Sequence, residues 1–266
     1  MFEIFQELEK QAEAGQDSSD STAPNDGSGV LVLSVGGSLF FDEKPLSTQI
    51  AKFCESILRL HSEGHRFALV VGGGKVARSF VSAAKSFGAT NYSQDELGIM
   101  ITRANAFVVI QALEKAHARV LTDPTQAFEV LAAGEIPVFG GLWPSFTTDA
   151  VAALVAEAVD GVFVNLTDVD GVYSSDPKRS SNAKFYPEIS YEKLLSMVKL
   201  SASKPGQNMV LDLPCVNILR RSQIKGIVLN GNDLQNFEAM VRGQDFKGTL
   251  VQNSSAEKST GELDDG

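Results

Sequence analysis

The sequence predicts an α/β fold, a three-layer α/β/α sandwich around a mostly parallel central sheet. Three observations lead there. Short apolar runs rich in Val, Ile, Leu and Phe recur along the chain, as strands covered on both faces require. Segments with helical spacing separate consecutive runs, which is the alternation that parallel crossovers impose. Three of the runs end in adjacent glycines, at Gly36-Gly37, Gly72-Gly73-Gly74 and Gly140-Gly141.

Taken in order, the first strand is expected at 30–35 (VLVLSV) and a helix at 46–62. A strand at 67–71 runs through the triple glycine into a helix at 75–87. The helix at 94–116 is apolar around much of its circumference, as a core or subunit-interface helix is. A helix at 124–133 and a strand at 136–139 follow, then a helix at 148–159 and a strand at 161–166. Helices at 190–198 and 208–221, a strand at 226–230, a helix at 233–242 and a short edge strand at 248–252 complete the domain. Residues 1–14 have a short helical pattern, and 15–29 (GQDSSDSTAPNDGSG) read as a flexible acidic linker. Residues 253–266 read as a disordered acidic tail, so the folded domain is expected over 30–252.

Charge and composition exclude several classes. The net charge is −10, but residues 30–251 carry 22 acids against 21 bases, so the acidity lies in the two ends. The core therefore does not repel anions, and it has no basic stripe of the kind that binds nucleic acid. No apolar run reaches the eighteen residues that a membrane helix needs, and the acidic N-terminus is not a signal peptide. Cys54 and Cys215 lie far apart in apolar surroundings and are expected to be buried free thiols of a cytoplasmic protein. His61, His65 and His117 lack metal-ligand spacing, and Asp168, Asp170 and Asp176 lack the spacing of a calcium loop. No G-x-x-x-x-G-K-[ST], G-x-S-x-G or intact G-x-G-x-x-G is present.

The glycine turns carry the chemistry. A strand that ends in glycines before a helix exposes several backbone N–H groups at a positive dipole end, and glycine lets them approach an anion. Three such turns suggest several phosphates held together, and hence phosphoryl transfer. Lys75 and Arg78 lie in the first turn of the helix after the triple glycine, where both reach an anion bound there. Thr147, Thr148 and Asp149 open the helix at 148–159; a helix cap explains one of the three. Trp143, the only tryptophan, is open to two readings: stacking on a base or packing of its loop. Tyr173 sits between turn residues, where its ring can offer a face to a purine.

Four blocks, SVGGSLF, VVGGGKVAR, ITRANAFVVIQAL with GGLWPSFTTDAVAALVAE, and NLTDVDGVYSSDP, resemble the amino acid kinase superfamily, and within it the uridylate kinases of archaeal type. The resemblance spans about 30–251 and implies the amino acid kinase sandwich, with an acceptor half followed by an ATP half. It implies transfer of the ATP γ-phosphoryl group to UMP with Mg²⁺ carried by ATP, in a cytoplasmic homohexamer built as a trimer of dimers. Ser34, Val35, Gly36, Gly37 and Ser38 match the loop on the ATP phosphates. Gly73 and Arg78 match further ATP contacts, and Thr167, Asp168, Tyr173 and Asp176 match the adenine and ribose side. Gly72 matches a contact to the UMP phosphate and Asp95 the acid on its ribose. Leu142, Trp143, Pro144, Ser145, Phe146, Thr147 and Thr148 match the loop enclosing UMP. Asp149 resembles the organising acid, and with Lys75 and Arg78 it forms the expected catalytic set; no protein side chain is expected to bind metal.

The chain departs from the family pattern at three places. Many members carry lysine where Ser34 stands, and Lys75 is expected to supply that charge. Trp143-Pro144-Ser145 replaces the usual Pro-Gly, and Asn217 stands where lysine is common. A sister kinase acting on another small phosphate or carboxylate, and a non-catalytic nucleotide- or oxyanion-binding descendant, are the alternatives.

Overall fold

The computed structural model describes residues 29–202 and 210–253. The expected N-terminal helix, almost all of its linker and the tail beyond Asn253 lie outside the described residues.

The strands, in chain order, are β1 (Val30–Val35), β2 (Arg66–Val71), β3 (Val138–Phe139), β4 (Val162–Thr167), β5 (Val172–Tyr173), β6 (Phe185–Tyr186), β7 (Glu188–Ile189), β8 (Gly226–Asn230) and β9 (Thr249–Val251). Seven of them form one sheet in the order β3-β2-β1-β4-β8-β9-β7, while β5 and β6 make a separate antiparallel pair. Every pairing in the large sheet is parallel except β8 with β9. The expected sandwich is therefore present, with one correction: the strand near 248–252 lies inside the sheet, and the two-residue β7 forms the edge.

The helices are α1 (Gly37–Phe40), α2 (Ser47–Ser62), α3 (Gly74–Ser86), α4 (Asn91–Ala112), α5 (Gln126–Ala132), α6 (Thr148–Ala158), α7 (Tyr191–Ala202), α8 (Leu213–Arg221) and α9 (Leu234–Val241). Their ends follow local chemistry. Thr90 caps α4 by accepting the Ser93 N–H at 3.2 Å, so that helix starts before the expected 94. Asp212 caps α8 through the Cys215 N–H at 2.8 Å with Pro214 in the first turn, so it begins at Leu213 rather than 208. Strand β3 is shorter than the expected 136–139 because Pro137 has no N–H to donate; its carbonyl still accepts from Leu69 at 2.9 Å.

The pleat splits the core into two layers. Val30, Val32, Ala68, Val70 and Phe163 pack on one face with the Ala/Val side of α6 and with α7 and α8. Leu31, Leu33, Val35, Phe67, Leu69, Val71 and Val164 pack on the other with Phe53, Ile57, Val109 and Phe237. At β1 the chain turns outward to β2 on one side, and β4 and β8 extend the sheet on the other. That divergence opens a crevice beyond the C-terminal strand ends, where ligands of open α/β sheets bind.

Candidate active site

The first two glycine turns meet backbone to backbone in this crevice. A Cβ on Gly37 would lie 2.1 Å from the Gly74 nitrogen, and one on Gly72 would lie 2.6 Å from the Gly37 nitrogen. Gly74 has φ +65° and sits against the Phe41 carbonyl, while a Cβ on Gly73 would strike the Ala77 side chain. All three glycines of the second turn thus have steric reasons, beyond any ligand. The Gly36 N–H is used on the Leu166 carbonyl at 2.9 Å and the Gly72 N–H on the Val35 carbonyl at 2.9 Å. The donors of the first turn left for an anion are therefore those of Gly37 and the exposed Ser38.

The third glycine pair does a different job from the one its sequence suggests. Gly140 and Gly141 are buried against α4, where a Cβ on Gly140 would come within 2.7 Å of the Arg103 nitrogen. This pair lets a helix cross a strand end closely, and Gly141 also lines a cavity with Arg78 and Asp95. Helix α4 braces both turns. The Asn105 amide donates to the carbonyls of Gly72 (3.0 Å) and Gly73 (3.2 Å). Thr102 accepts the Gly141 N–H at 2.7 Å, and Arg103 donates to the carbonyls of Gly141 (3.0 Å) and Leu142 (3.3 Å). Sequence reasoning missed these three residues; the signal was a polar Thr-Arg-Ala-Asn step within the apolar stretch of the helix.

Between the turns lies a polar hub. Ser34 on β1 and Asn165 on β4 are register partners, and the pleat turns both toward the layer that contains α6. Asp149 is the second residue of α6. The Ser34 hydroxyl and the Asn165 amide both donate to its Oδ1, at 2.6 and 2.9 Å. Desolvation pushes the Asp149 carboxyl up to about 7, against the lowering pull of the Ser34 hydroxyl and with a further push from the nearby Asp212 charge. The Asn165 Oδ1 is buried without a hydrogen-bond partner. Thr147 caps α6, accepting the Ala150 N–H at 3.2 Å, and its hydroxyl donates to Asp212 at 2.6 Å. The N-termini of α6 and α8 are thereby joined. Sequence reasoning missed Asn165 and Asp212, although an Asn inside an apolar strand run is a readable signal.

Two cavities flank the hub. One, of about 270 Å³, is lined by Thr167, Asp168, Tyr173, Asp176 and Lys178 among others. Lys178, absent from the expected set, pairs with Asp168, and Phe185 braces the Tyr173 ring at 5.3 Å. The other, of about 410 Å³, is lined by Gly73, Gly74, Arg78, Asp95, Trp143, Ser145, Phe146, Thr147 and Thr148 among others. Arg78, matched by resemblance to an ATP contact, lines this second cavity, as does Gly73. Leu142 is buried behind the loop, Pro144 lies in its turn, and Val35 belongs to the core. Lys75 borders neither cavity; its ammonium pairs with Asp42.

Two recesses near the C-terminal strand ends, one following β4 and one beside the second glycine turn, give this α/β sandwich room for two ligands. The chain belongs to the amino acid kinase family, whose model matches residues 29–230. It is 42% identical to the uridylate kinase of Thermococcus sibiricus over 84% of this chain and 99% of that protein. It is 40% identical to the uridylate kinase of Pyrococcus abyssi over the same shares. Among solved structures, uridylate kinase from Archaeoglobus fulgidus aligns with a TM-score of 0.74 at 38% identity, covering 84% of this chain and 99% of that one. UMP kinase from Ureaplasma parvum aligns at 0.72 and 22% identity over 85% and 99%, which speaks for the fold alone.

Proposed function

We propose that this protein is a UMP kinase, which transfers the γ-phosphoryl group of ATP to UMP and yields ADP and UDP in pyrimidine nucleotide synthesis. The observation that carries this reading is the likeness to uridylate kinases along nearly their whole length, by sequence and by fold. The paired cavities support it, because the reaction needs two nucleotide sites that meet at their phosphates.

In this reading ATP takes the cavity of Thr167, Asp168, Tyr173 and Asp176, with its phosphates toward Ser34–Ser38 and Gly73. UMP takes the other, with Asp95 on the ribose and Gly72 and Arg78 toward its phosphate. The loop 142–148 closes over the base. A UMP phosphate oxygen attacks the γ-phosphorus in line, the bond to the ADP bridging oxygen breaks, and ADP departs with that electron pair. The attacking oxygen is already ionised near neutral pH, so no general base is needed. The chain's task is alignment and charge compensation. Asp149 fixes the hub between the two sites through Ser34 and Asn165. Lys75 serves the transferred group only by leaving Asp42.

Among the described residues no group of three or more His, Cys, Asp or Glu side chains could hold a metal ion. In this reading Mg²⁺ would enter with ATP and would supply charge neutralisation at the phosphates.

A coupled ADP-release assay across UMP, CMP, dTMP, isopentenyl phosphate and acetylglutamate tests the reading. Preferred turnover of UMP is expected. Preference for a non-nucleotide acceptor would replace it with a sister kinase, and nucleotide binding without turnover would replace it with a non-catalytic protein.

We also place the protein in the cytoplasm, in keeping with two buried free cysteines, and as a homohexamer. Support for assembly comes from α4, which leaves Met100, Phe107 and Val108 exposed at 60, 52 and 38% along one stripe.

A further inference from the structure

The geometry points to Trp143 as a stacking platform for the acceptor's nucleobase, and we propose that this indole, braced by Phe146, supplies much of the affinity for UMP. The inference rests on the UMP kinase reading of the second cavity.

The loop that carries these rings is built to display them. Trp143, Pro144, Ser145 and Phe146 form a four-residue turn, closed by the Phe146 N–H on the Trp143 carbonyl at 3.2 Å. Pro144 occupies the second position, where its fixed φ suits the turn. Ser145 occupies the third with φ +68°, the left-handed backbone for which glycine is the usual choice. A turn of this kind brings its first and fourth residues together. Their rings meet edge to face, with centroids 6.2 Å apart and planes at 75°. An edge-to-face partner holds one ring by its rim and leaves its face open.

The loop is also pinned. Asp95 Oδ2 accepts the Ser145 N–H at 2.9 Å, across fifty residues of sequence. This bond offsets the strained turn and ties the aromatic pair to α4, on the opposite wall of the same cavity. Packing of the loop alone does not account for the pair. Trp143 and Phe146 remain 44 and 40% exposed, and both line the cavity with Asp95, Arg78 and Thr148. A large apolar ring left half open in the wall of a mainly apolar recess that also holds Arg78 and Asp95 suits a flat heteroaromatic base. Stacking on a base contributes about 1–3 kcal/mol, or roughly 5- to 150-fold in affinity. Because every base has a π-face, this contribution adds affinity without reading the base edge.

Trp143 is the only tryptophan, so its emission reports on this ring alone. The full-length protein is titrated with UMP and, separately, with ribose 5-phosphate, which has the sugar phosphate and no base. UMP is expected to quench the emission, whereas ribose 5-phosphate at saturation leaves it within a few per cent. In kinetics, Trp143→Ala is expected to raise KM for UMP by about 5-fold or more, with KM for ATP within about twofold. Trp143→Phe should recover most of that loss, and Trp143→Leu, apolar but without a π-face, should not. The inhibition constant of ribose 5-phosphate should be the same in parent and Trp143→Ala. Equal weakening of UMP and ribose 5-phosphate, or full recovery by leucine, would overturn the stacking role. Quenching by UMP without turnover would remove the kinase reading and keep the platform, whereas turnover without quenching would do the reverse.

Discussion

Ser34 and Asn165 stand side by side on neighbouring strands and donate to the same oxygen of Asp149. With no lysine in that hub, burial dominates and holds the Asp149 carboxyl near 7, above its ordinary 3.8. The sign follows directly. Between pH 4 and 7 the native state keeps a proton that the unfolded chain releases, so stability falls as pH rises through that window. Asp149→Asn removes the effect: its urea stability should be nearly level from pH 5 to 8 and exceed the parent at pH 8 by roughly 2–4 kcal/mol. The same variant should lose about 100-fold or more in kcat, since an amide is a weaker acceptor for Ser34 and Asn165 and the hub that aligns the two sites loosens. A pH-8 stability no higher than the parent's would show that the carboxylate is ionised at little cost. Ser145 gives a second residue-scale prediction. Its left-handed backbone costs about 1 kcal/mol relative to glycine, so Ser145→Gly should raise Tm by roughly 3 °C and keep turnover. Calorimetry beside the kinase assay checks both halves.

At the scale of elements, the three glycine turns look alike in sequence and differ in the fold. The first two interlock, and the third seats a helix. Gly37→Ala places a methyl group 2.1 Å from the Gly74 nitrogen, backbone against backbone, so both turns must move. Destabilisation by about 3 kcal/mol in urea unfolding is expected, together with lost ATP binding by calorimetric titration. Ala in place of the neighbouring Ser38, which is exposed, should cost less than about 0.5 kcal/mol. Asn105→Leu, which removes the brace on the carbonyls of Gly72 and Gly73, should raise KM for both substrates while α4 remains helical. A change confined to one substrate would show that the two sites do not share this turn.

For the whole molecule, the exposed stripe on α4 is the face to test. Phe107→Glu adds a charge to a ring that is half exposed, so the fold should survive by circular dichroism. Light scattering should then report a smaller assembly than the parent's. An unchanged mass would move the subunit interface elsewhere. The two cavities lie elsewhere, beyond strand ends of the sheet.

The sequence by itself determined the layers and most of their boundaries. Val30 to Val35 and Phe67 to Val71 read as doubly covered strands because apolar side chains fill both phases of the pleat, and the helices between them follow from spacing and caps. It also determined the family, through short blocks whose glycines and capping residues have little steric freedom to vary. It could not place the two-residue strands β5, β6 and β7, whose pairing is non-local and leaves no periodic trace. Nor could it show that Lys75 is held by Asp42, that Arg78 lines the same cavity as Trp143, or that Asp95 reaches Ser145. Those contacts join residues far apart in the chain or on opposite faces of a helix. Only the packed sheet, by fixing which strand ends meet and which way each side chain points, decided them.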